Sequence, residues 1–406
     1  LSVMTPSVPE PRSGWYVVFG LLLVMAICHG IITSALPTFD KVLLDELGIS
    51  RADLKLRETI FLLASGCSGL AIGFLTQFLQ PRTIVLSGLG LLAATLAAYG
   101  HAATIGQIYA LYIFLGMCYA SSHVVIVVLM VRQCLQARQA LAISVALSGT
   151  SLGSAIFPNL TVAFLAHFDW RQVLTMLAVL PLLILPFAAW LLPGKTSRIA
   201  HPVLDVAGDA RRPKPSVGAI VLLLVAIFGI FFSSTAILLN LFLHLQDIGM
   251  NQRTAAAGLS AVFFIGLAGK VLVGAAAERW GVFRVWTGQQ VILLIGAALL
   301  ALAQPSMAIP GLLLLGLGWA GCYVLTQVVI SEVFAGKNLG KVAGAFIVYE
   351  AISSGSGVWS AAALFDAYGS YRFAFELCCG LLLMAIGATL LFRRTLEARP
   401  VPAVAD

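Results

Sequence analysis

Apolar residues run along this chain in long, nearly unbroken blocks, divided by short clusters of proline, glycine and charge. A helix crossing the roughly 30 Å of membrane hydrocarbon needs about 20 residues, and the blocks reach that length. They are too long for barrel strands, and an open sheet edge cannot survive in lipid, so each block is predicted to be a helix. Twelve follow, at 15–39, 56–79, 83–100, 104–131, 139–165, 171–192, 217–244, 254–277, 284–303, 308–334, 342–365 and 372–392. Turn chemistry parts them, as at Gln80-Pro81-Arg82, Asp169-Trp170-Arg171 and Pro305 to Pro310. The longest polar stretch, 193–216, divides the chain into a six-helix bundle over 1–192 and another over 217–406. The predicted class is an all-α polytopic membrane protein with twelve transmembrane helices in two halves.

Composition agrees with the pattern. Of 406 residues, 60% are apolar and 10% charged, with a mean hydropathy of +1.00; a soluble domain carries about 25% charged residues. A water-soluble enzyme, a disordered regulator and a nucleic-acid-binding domain are thereby excluded. The net charge of +7 is explained by where the basic residues fall. With the 193–216 loop in the cytoplasm, sixteen of the 24 lie inside, among them Arg82, Arg132, Arg138, Lys214 and Arg394. Seven lie outside (Lys41, Arg51, Lys55, Arg57, Arg171, Arg253 and Arg372), and Lys270 falls within a span. This asymmetry predicts a multi-pass protein of the plasma (inner) membrane with both termini cytoplasmic. Residues 1–13 lack the basic region and cleavage site of a signal peptide, so the first apolar block is expected to be retained. The seven cysteines form no CxxC and no Cys/His cluster, and most sit in apolar runs. They read as small buried hydrophobes, without a metal or disulfide role.

Two motifs imitate chemistry. Gly149-Thr150-Ser151-Leu152-Gly153 spells the GxSxG of a nucleophile elbow, yet lies mid-helix, where glycines four apart indicate close helix packing. Gly316 to Gly321 spells GxGxxG without a βαβ context. No catalytic constellation, metal cluster or phosphate loop is present, so no cofactor and no ATP-driven step is expected.

Charge inside a span is costly and marks a functional candidate. Lys270 lies near the middle of helix 8, with Gly266 and Gly274 a turn away on either side, leaving room for a small anion at its ammonium. The competing reading is a cation paired with a buried acid or reaching to the inner surface. Glu350 on helix 11 lies at similar depth, with Ser353 and Ser354 on its face; it is a partner for Lys270, a proton carrier or a brace between helices. Tyr119 and His123 share one face of helix 4, His29 is mid-helix 1, and Tyr323 follows the glycine-rich start of helix 10. The tyrosines offer an apolar wall with one donor each, and a membrane histidine is a proton site or a hydrogen-bonded packing residue. The substrate-binding set is therefore Lys270, Tyr119, Tyr323, His29 and Ser354, and the proton-coupling set Lys270, Glu350 and His123.

Between helices 8 and 9 run Gly274, Glu278, Arg279, Gly281 and Arg284, with Gly73, Gln77 and Arg82 as a worn counterpart between helices 2 and 3. The glycine would permit close approach, the acid cap the next helix, and arginine brace the cytoplasmic ends. This repeat resembles the loop signature of the major facilitator superfamily. Within it, Arg138, Leu141, Ala142, Ala146, Gly149 and Gly153 resemble the helix 4–5 signature of the monocarboxylate transporter family. Ser13-Gly14-Trp15 is similar to the tail of that family's helix 1 element, and the run holding Glu350 and Tyr368-Gly369-Ser370-Tyr371 is similar to its helices 11 and 12. The resemblance implies parallel halves around a midplane site. It sets Lys270 at the family's helix 8 arginine, which holds the substrate carboxylate. Gly266 stands where the family has an acid, and no lysine precedes Lys41 in helix 1. The expectation is a secondary transporter moving a small monocarboxylate, such as L-lactate or pyruvate, with a proton. It needs the bilayer but no obligate protein partner. An organic-anion exchanger is the alternative within the superfamily, and a polytopic enzyme or receptor the alternative outside it.

Overall fold

The computed structural model describes residues 12–135, 138–194, 215–334 and 339–397; the linker charges from 195 to 214 lie outside that range. Among the described residues all regular structure is helical. The first crossing is a continuous path of α1 (Arg12–Gly30), a π turn (Ile31–Ala35), a 3-10 turn (Leu36–Phe39) and α2 (Asp40–Leu47). Then come α3 (Arg51–Leu75), α4 (Pro81–Tyr99), a fourth crossing in two pieces, α5 (Ile105–Ser121) and α6 (Val124–Cys134), α7 (Gln139–Leu165) and α8 (Trp170–Leu191). The second half holds α9 (Val217–Asp247), α10 (Gln252–Trp280), α11 (Val282–Ala301), α12 (Pro305–Val333), α13 (Leu339–Tyr368) and α14 (Arg372–Glu397). Eleven stretches of the described residues are long and apolar enough to cross a membrane. The remaining helix, α13, carries Glu350 and the small polar run Ser353 to Gly357 in place of bulky apolar residues.

Two boundaries differ from the expected ones. The first crossing continues past residue 39 to Leu47, and the second begins at Arg51 instead of 56. Gly48, at φ +60°, supplies the left-handed residue that ends α2, and the Ser50 hydroxyl accepts the Asp53 N–H that starts α3. Charges that read as loop in the sequence are helical because they find partners inside the protein. Within the first crossing, Pro37 has no N–H for the Thr33 carbonyl, and the ladder shifts through π and 3-10 turns there. Helix 4, expected to be continuous, breaks at Ser122–His123. The Ser121 and Ser122 hydroxyls bond back to the carbonyls of Cys118 and Tyr119, competing with the helical ladder.

Buried apolar side chains form two clusters, one between Val17 and Leu192, the other almost wholly between Ala219 and Phe392 with Val162 reaching into it. Small residues set how closely the helices within each half approach. A Cβ on Gly149 would lie 2.2 Å from the Leu22 carbonyl oxygen, and one on Gly153 1.9 Å from that of Ala26, so α7 rides on the backbone of α1. Gly316 and Gly318 of α12 do the same against Val262 of α10 and Leu293 of α11. Both imitation motifs are thus helix-packing seams. Gly153→Val should cost more than about 1–3 kcal/mol, the usual range for overpacking, because the clashing atom is backbone and cannot turn aside. A sharp fall in monodisperse protein on size-exclusion chromatography and in the thermal midpoint is the expected readout; an unchanged midpoint would refute the close crossing.

Polar links between the halves gather at the end of the bundle away from the termini. Arg51 donates two hydrogen bonds to Asp247, at 2.6 and 2.8 Å, and Asp366 accepts the backbone N–H groups of Arg51 and Ala52. The Thr59 hydroxyl donates to the Gly355 carbonyl at 2.7 Å, and Asn159 Nδ2 to Ser260 Oγ at 3.0 Å.

Candidate functional site

A cavity of about 240 Å³ lies between the halves. Met25, His29, Thr33, Phe61, Leu62, Tyr119, His123, Leu147, Thr150, Ser151 and Ser154 line it from the first half. Thr235, Leu238, Leu239, Phe263, Lys270, Trp319, Tyr323 and Val324 line it from the second. Among these residues Lys270 is the one lysine or arginine, and there is no aspartate or glutamate. The Lys270 ammonium donates to Ser151 Oγ across the halves at 3.0 Å and sits 5.7 Å from the centre of the Trp319 ring. An ammonium has three N–H donors and Ser151 takes one; the ring face adds a cation–π attraction. Among the described residues no ion pair joins Lys270 to a carboxylate.

The opposite wall is aromatic. His29 and Tyr119 approach to 4.0 Å between ring centres, His29 stacks on His123 at 5.6 Å, and Phe61 meets Tyr119 edge-on. His29 Nε2 is buried without a hydrogen-bond partner. The π turn matters here, since Thr33 within it donates to the His29 carbonyl at 2.6 Å and meets Ser154 Oγ at 3.1 Å. The break in the fourth crossing leaves His123 at the start of α6, its ring still 5.2 Å from that of Tyr119. The shared face expected for these two residues exists although the helix between them is interrupted.

Five of the seven expected binding and coupling residues thus line one cavity: Lys270, His29, Tyr119, His123 and Tyr323. Ser354 and Glu350 do not. Ser354 is buried behind the wall, where its carbonyl accepts from the lining Thr235 at 3.2 Å. Glu350 accepts Gln327 Nε2–H of α12 at 2.8 Å, the geometry of a brace between α13 and α12. The glycines beside Lys270 also act differently from expectation. Gly266 packs on Trp319 and Ala320, while a Cβ on Gly274 would meet nothing within 4 Å, so close approach does not require that glycine. Between α10 and α11, Gly281 at φ +87° makes the turn and no side chain caps the start of α11, so Glu278 is not seen as the expected cap. Arg279 lies over Trp280, and Arg284 is in the first turn of α11.

One group was not anticipated. Asp40, Lys55, Arg57 and Glu58, two of them expected in an outer loop, are all at most 1% exposed. Asp40 pairs with Lys55 at 2.5 Å and with Arg57. Arg57 also donates to the Tyr99 hydroxyl at 2.9 Å and lies over the Tyr112 ring. Lys55 Nζ donates to the carbonyl of Leu239, a residue of the cavity wall in the other half, at 2.5 Å. A sequence signal existed: Glu58 stands three and four residues before Phe61 and Leu62, the spacing of one helix face. Ser151, Trp319 and the Thr33–Ser154 pair were also missed, being unremarkable in composition.

The family description of the Major Facilitator Superfamily matches residues 18–358. No curated protein matches the chain. Among solved structures, the chain is similar to a bacterial homologue of the human lysosomal transporter Spinster in its inward-facing, occupied conformation. That match has a TM-score of 0.79 and 15% identity over 96% of this chain and 98% of the other. The unoccupied form of the homologue gives 0.77 at 16% identity, covering 97% and 100%. A mutant of the nucleoside transporter NupG gives 0.73 at 14%, covering 93% and 99%. At these identities the likeness speaks for the fold, and the family match covers most of the sequence. The chain belongs to the Major Facilitator Superfamily of membrane transporters.

Proposed function

We propose that the protein is a secondary transporter of the plasma membrane, with cytoplasmic termini, that carries a small monocarboxylate of the L-lactate or pyruvate type together with a proton. The observation that carries this reading is a cavity between the halves that, among the described residues, holds one ammonium and no carboxylate of its own. A lone cation in a low-dielectric wall attracts one negative charge, and a dicarboxylate would call for a second cation. The size of the cavity supports the same class. Its 240 Å³ is smaller than the roughly 300–1,000 Å³ of sites for drug-sized ligands.

In this reading the substrate carboxylate pairs with Lys270, and Tyr119, Tyr323 and His29 frame the remainder of the molecule. The ion pair is neutral, so the filled site can pass from one side to the other as the bundles 1–192 and 217–406 rock about it. The empty, charged site reorients less readily, which is the condition for coupling. The accompanying proton makes the overall movement electroneutral.

The absence of a carboxylate from the cavity wall among the described residues also suits a second reading, exchange of one organic anion for another. Proteoliposomes separate the two. Proton symport predicts that an acid-outside gradient accumulates labelled lactate, that a protonophore stops it, and that unlabelled monocarboxylates compete better than dicarboxylates. Uptake that ignores the protonophore but rises with internal counter-anion would establish exchange. No lactate or pyruvate movement in either assay would overturn the monocarboxylate assignment.

A further inference from the structure

The buried cluster of Asp40, Lys55, Arg57 and Glu58 has no place in substrate binding as described, and its hydrogen bonds do not balance. Asp40 accepts a hydrogen bond from Arg57 at Oδ1 and faces the Lys55 ammonium at 2.5 Å with Oδ2, so both its oxygens meet a cation. Glu58 has only the flank of Arg57, Nε to Oε1 at 3.6 Å, and that oxygen is buried without a donor. A buried charged oxygen left without a hydrogen bond is costly, so such groups are ordinarily paired or neutral. Glu58 is therefore the member of the cluster whose protonation gives up the longest ion pair, that to Arg57 Nε at 3.6 Å, and leaves both pairs of Asp40 in place.

Its surroundings are closed. From α4 and α5 come Tyr99 and Tyr112. The neighbouring charges of α9 and α13, Asp247 and Asp366, are held by Arg51 at the bundle end, and Glu350 by Gln327. One contact leads out of the cluster to the other half, from Lys55 to the Leu239 carbonyl.

We propose that Glu58 carries the transported proton, and that the cluster ties its protonation to closure of the halves through the Lys55–Leu239 contact. This rests on the reading of the chain as a proton-coupled transporter, but not on which acid it carries. With Glu58 ionised, two cations face two carboxylates and the cluster is balanced. With its carboxyl protonated, two cations face Asp40 alone, and the surplus positive charge is met by the carbonyl dipole of Leu239, drawing α3 and α9 together. A proton taken up from one side thus favours closure at the end holding the cluster, and its loss to the other side releases that closure. Phe61 and Leu62, one turn from Glu58, line the cavity, and in this proposal the proton reaches Glu58 from that side.

Infrared difference spectroscopy of the purified protein between alkaline and acidic pH tests the proton site without any substrate. The expected result is a protonated-carboxyl C=O band that is lost in Glu58→Gln and kept in Glu350→Gln and Lys270→Gln. In proteoliposomes Glu58→Gln should lose accumulation above the equilibrium ratio and show a flat pH profile, while still exchanging labelled for unlabelled substrate. A band unaltered in Glu58→Gln, or none in the wild type, overturns the proposal, as does undiminished acid-driven accumulation by the variant. Should Glu58→Gln fail to fold, Glu58→Asp decides: the proposal requires the band to shift in frequency, and an unmoved band refutes it. A wild type that shows the Glu58 band but moves no monocarboxylate would remove the substrate assignment and leave the proton site standing.

Discussion

Lys270→Gln should abolish uptake of labelled lactate driven by an acid-outside gradient. The substitution keeps a polar side chain, one bond shorter, and removes the one lysine or arginine charge on the cavity wall among the described residues. Hydrogen bonds to charged partners contribute about 1.5–3 kcal/mol, so the direct loss is roughly 10- to 150-fold in affinity. The consequence for transport is larger, because a bound carboxylate would then have no countercharge and the filled site would be the charged one during reorientation. Lys270→Arg should retain part of the activity: charge is preserved, but the planar guanidinium cannot repeat the point contact with Ser151 at 3.0 Å. The checking measurement is initial uptake under saturating gradient beside thermal stability of the same preparation. Wild-type rates in a stably folded Lys270→Gln would end the assignment of Lys270 to the substrate.

Asp40→Asn is expected to give the largest loss of stability among conservative substitutions. Asp40 is the shared partner of two buried cations, Lys55 and Arg57. Removing one member of a buried ion pair costs about 3–5 kcal/mol, because the remaining charge stays desolvated and unpaired. Low membrane yield and a much lower thermal midpoint should result. In the Asp40→Asn background, Lys55→Met should recover part of the loss by removing one uncompensated cation, and the departure from additivity measures their coupling. If Asp40→Asn melts with the wild type, the four charges do not form a network that supports the fold.

Much of the candidate site was legible in the sequence. Lys270 stood out because an ammonium within an apolar block has few tolerable environments, and His29, Tyr119, His123 and Tyr323 because polar aromatics are conspicuous there. Ser354 lies behind the cavity wall, and Glu350 has the geometry of the brace that was one of its three readings, since helical spacing fixes which residues share a face but not which neighbour that face meets. Ser151 was set aside with its imitation motif, yet it receives the Lys270 hydrogen bond from across the halves. No local pattern encodes a contact between residues 119 positions apart.

The sequence by itself determined the class of solvent, the helical path of the crossings and the close-packing face that Gly149 and Gly153 give α7, while the structure showed that α1 is the neighbour it meets. Each follows from a local rule: lipid offers no hydrogen bonds to the backbone, so an apolar block of sufficient length is a helix, and small residues at helical spacing admit a neighbour. Only the tertiary structure decided which charges lie inside. Asp40 and Lys55 looked like loop residues, and Arg57 and Glu58 like the exposed start of a helix, because each alone would be expelled from the protein interior. Brought together from α2 and α3, they pair with one another and reach the Leu239 carbonyl of the opposite half. The cost of burying a charge depends on its partners, and partners are a property of the fold.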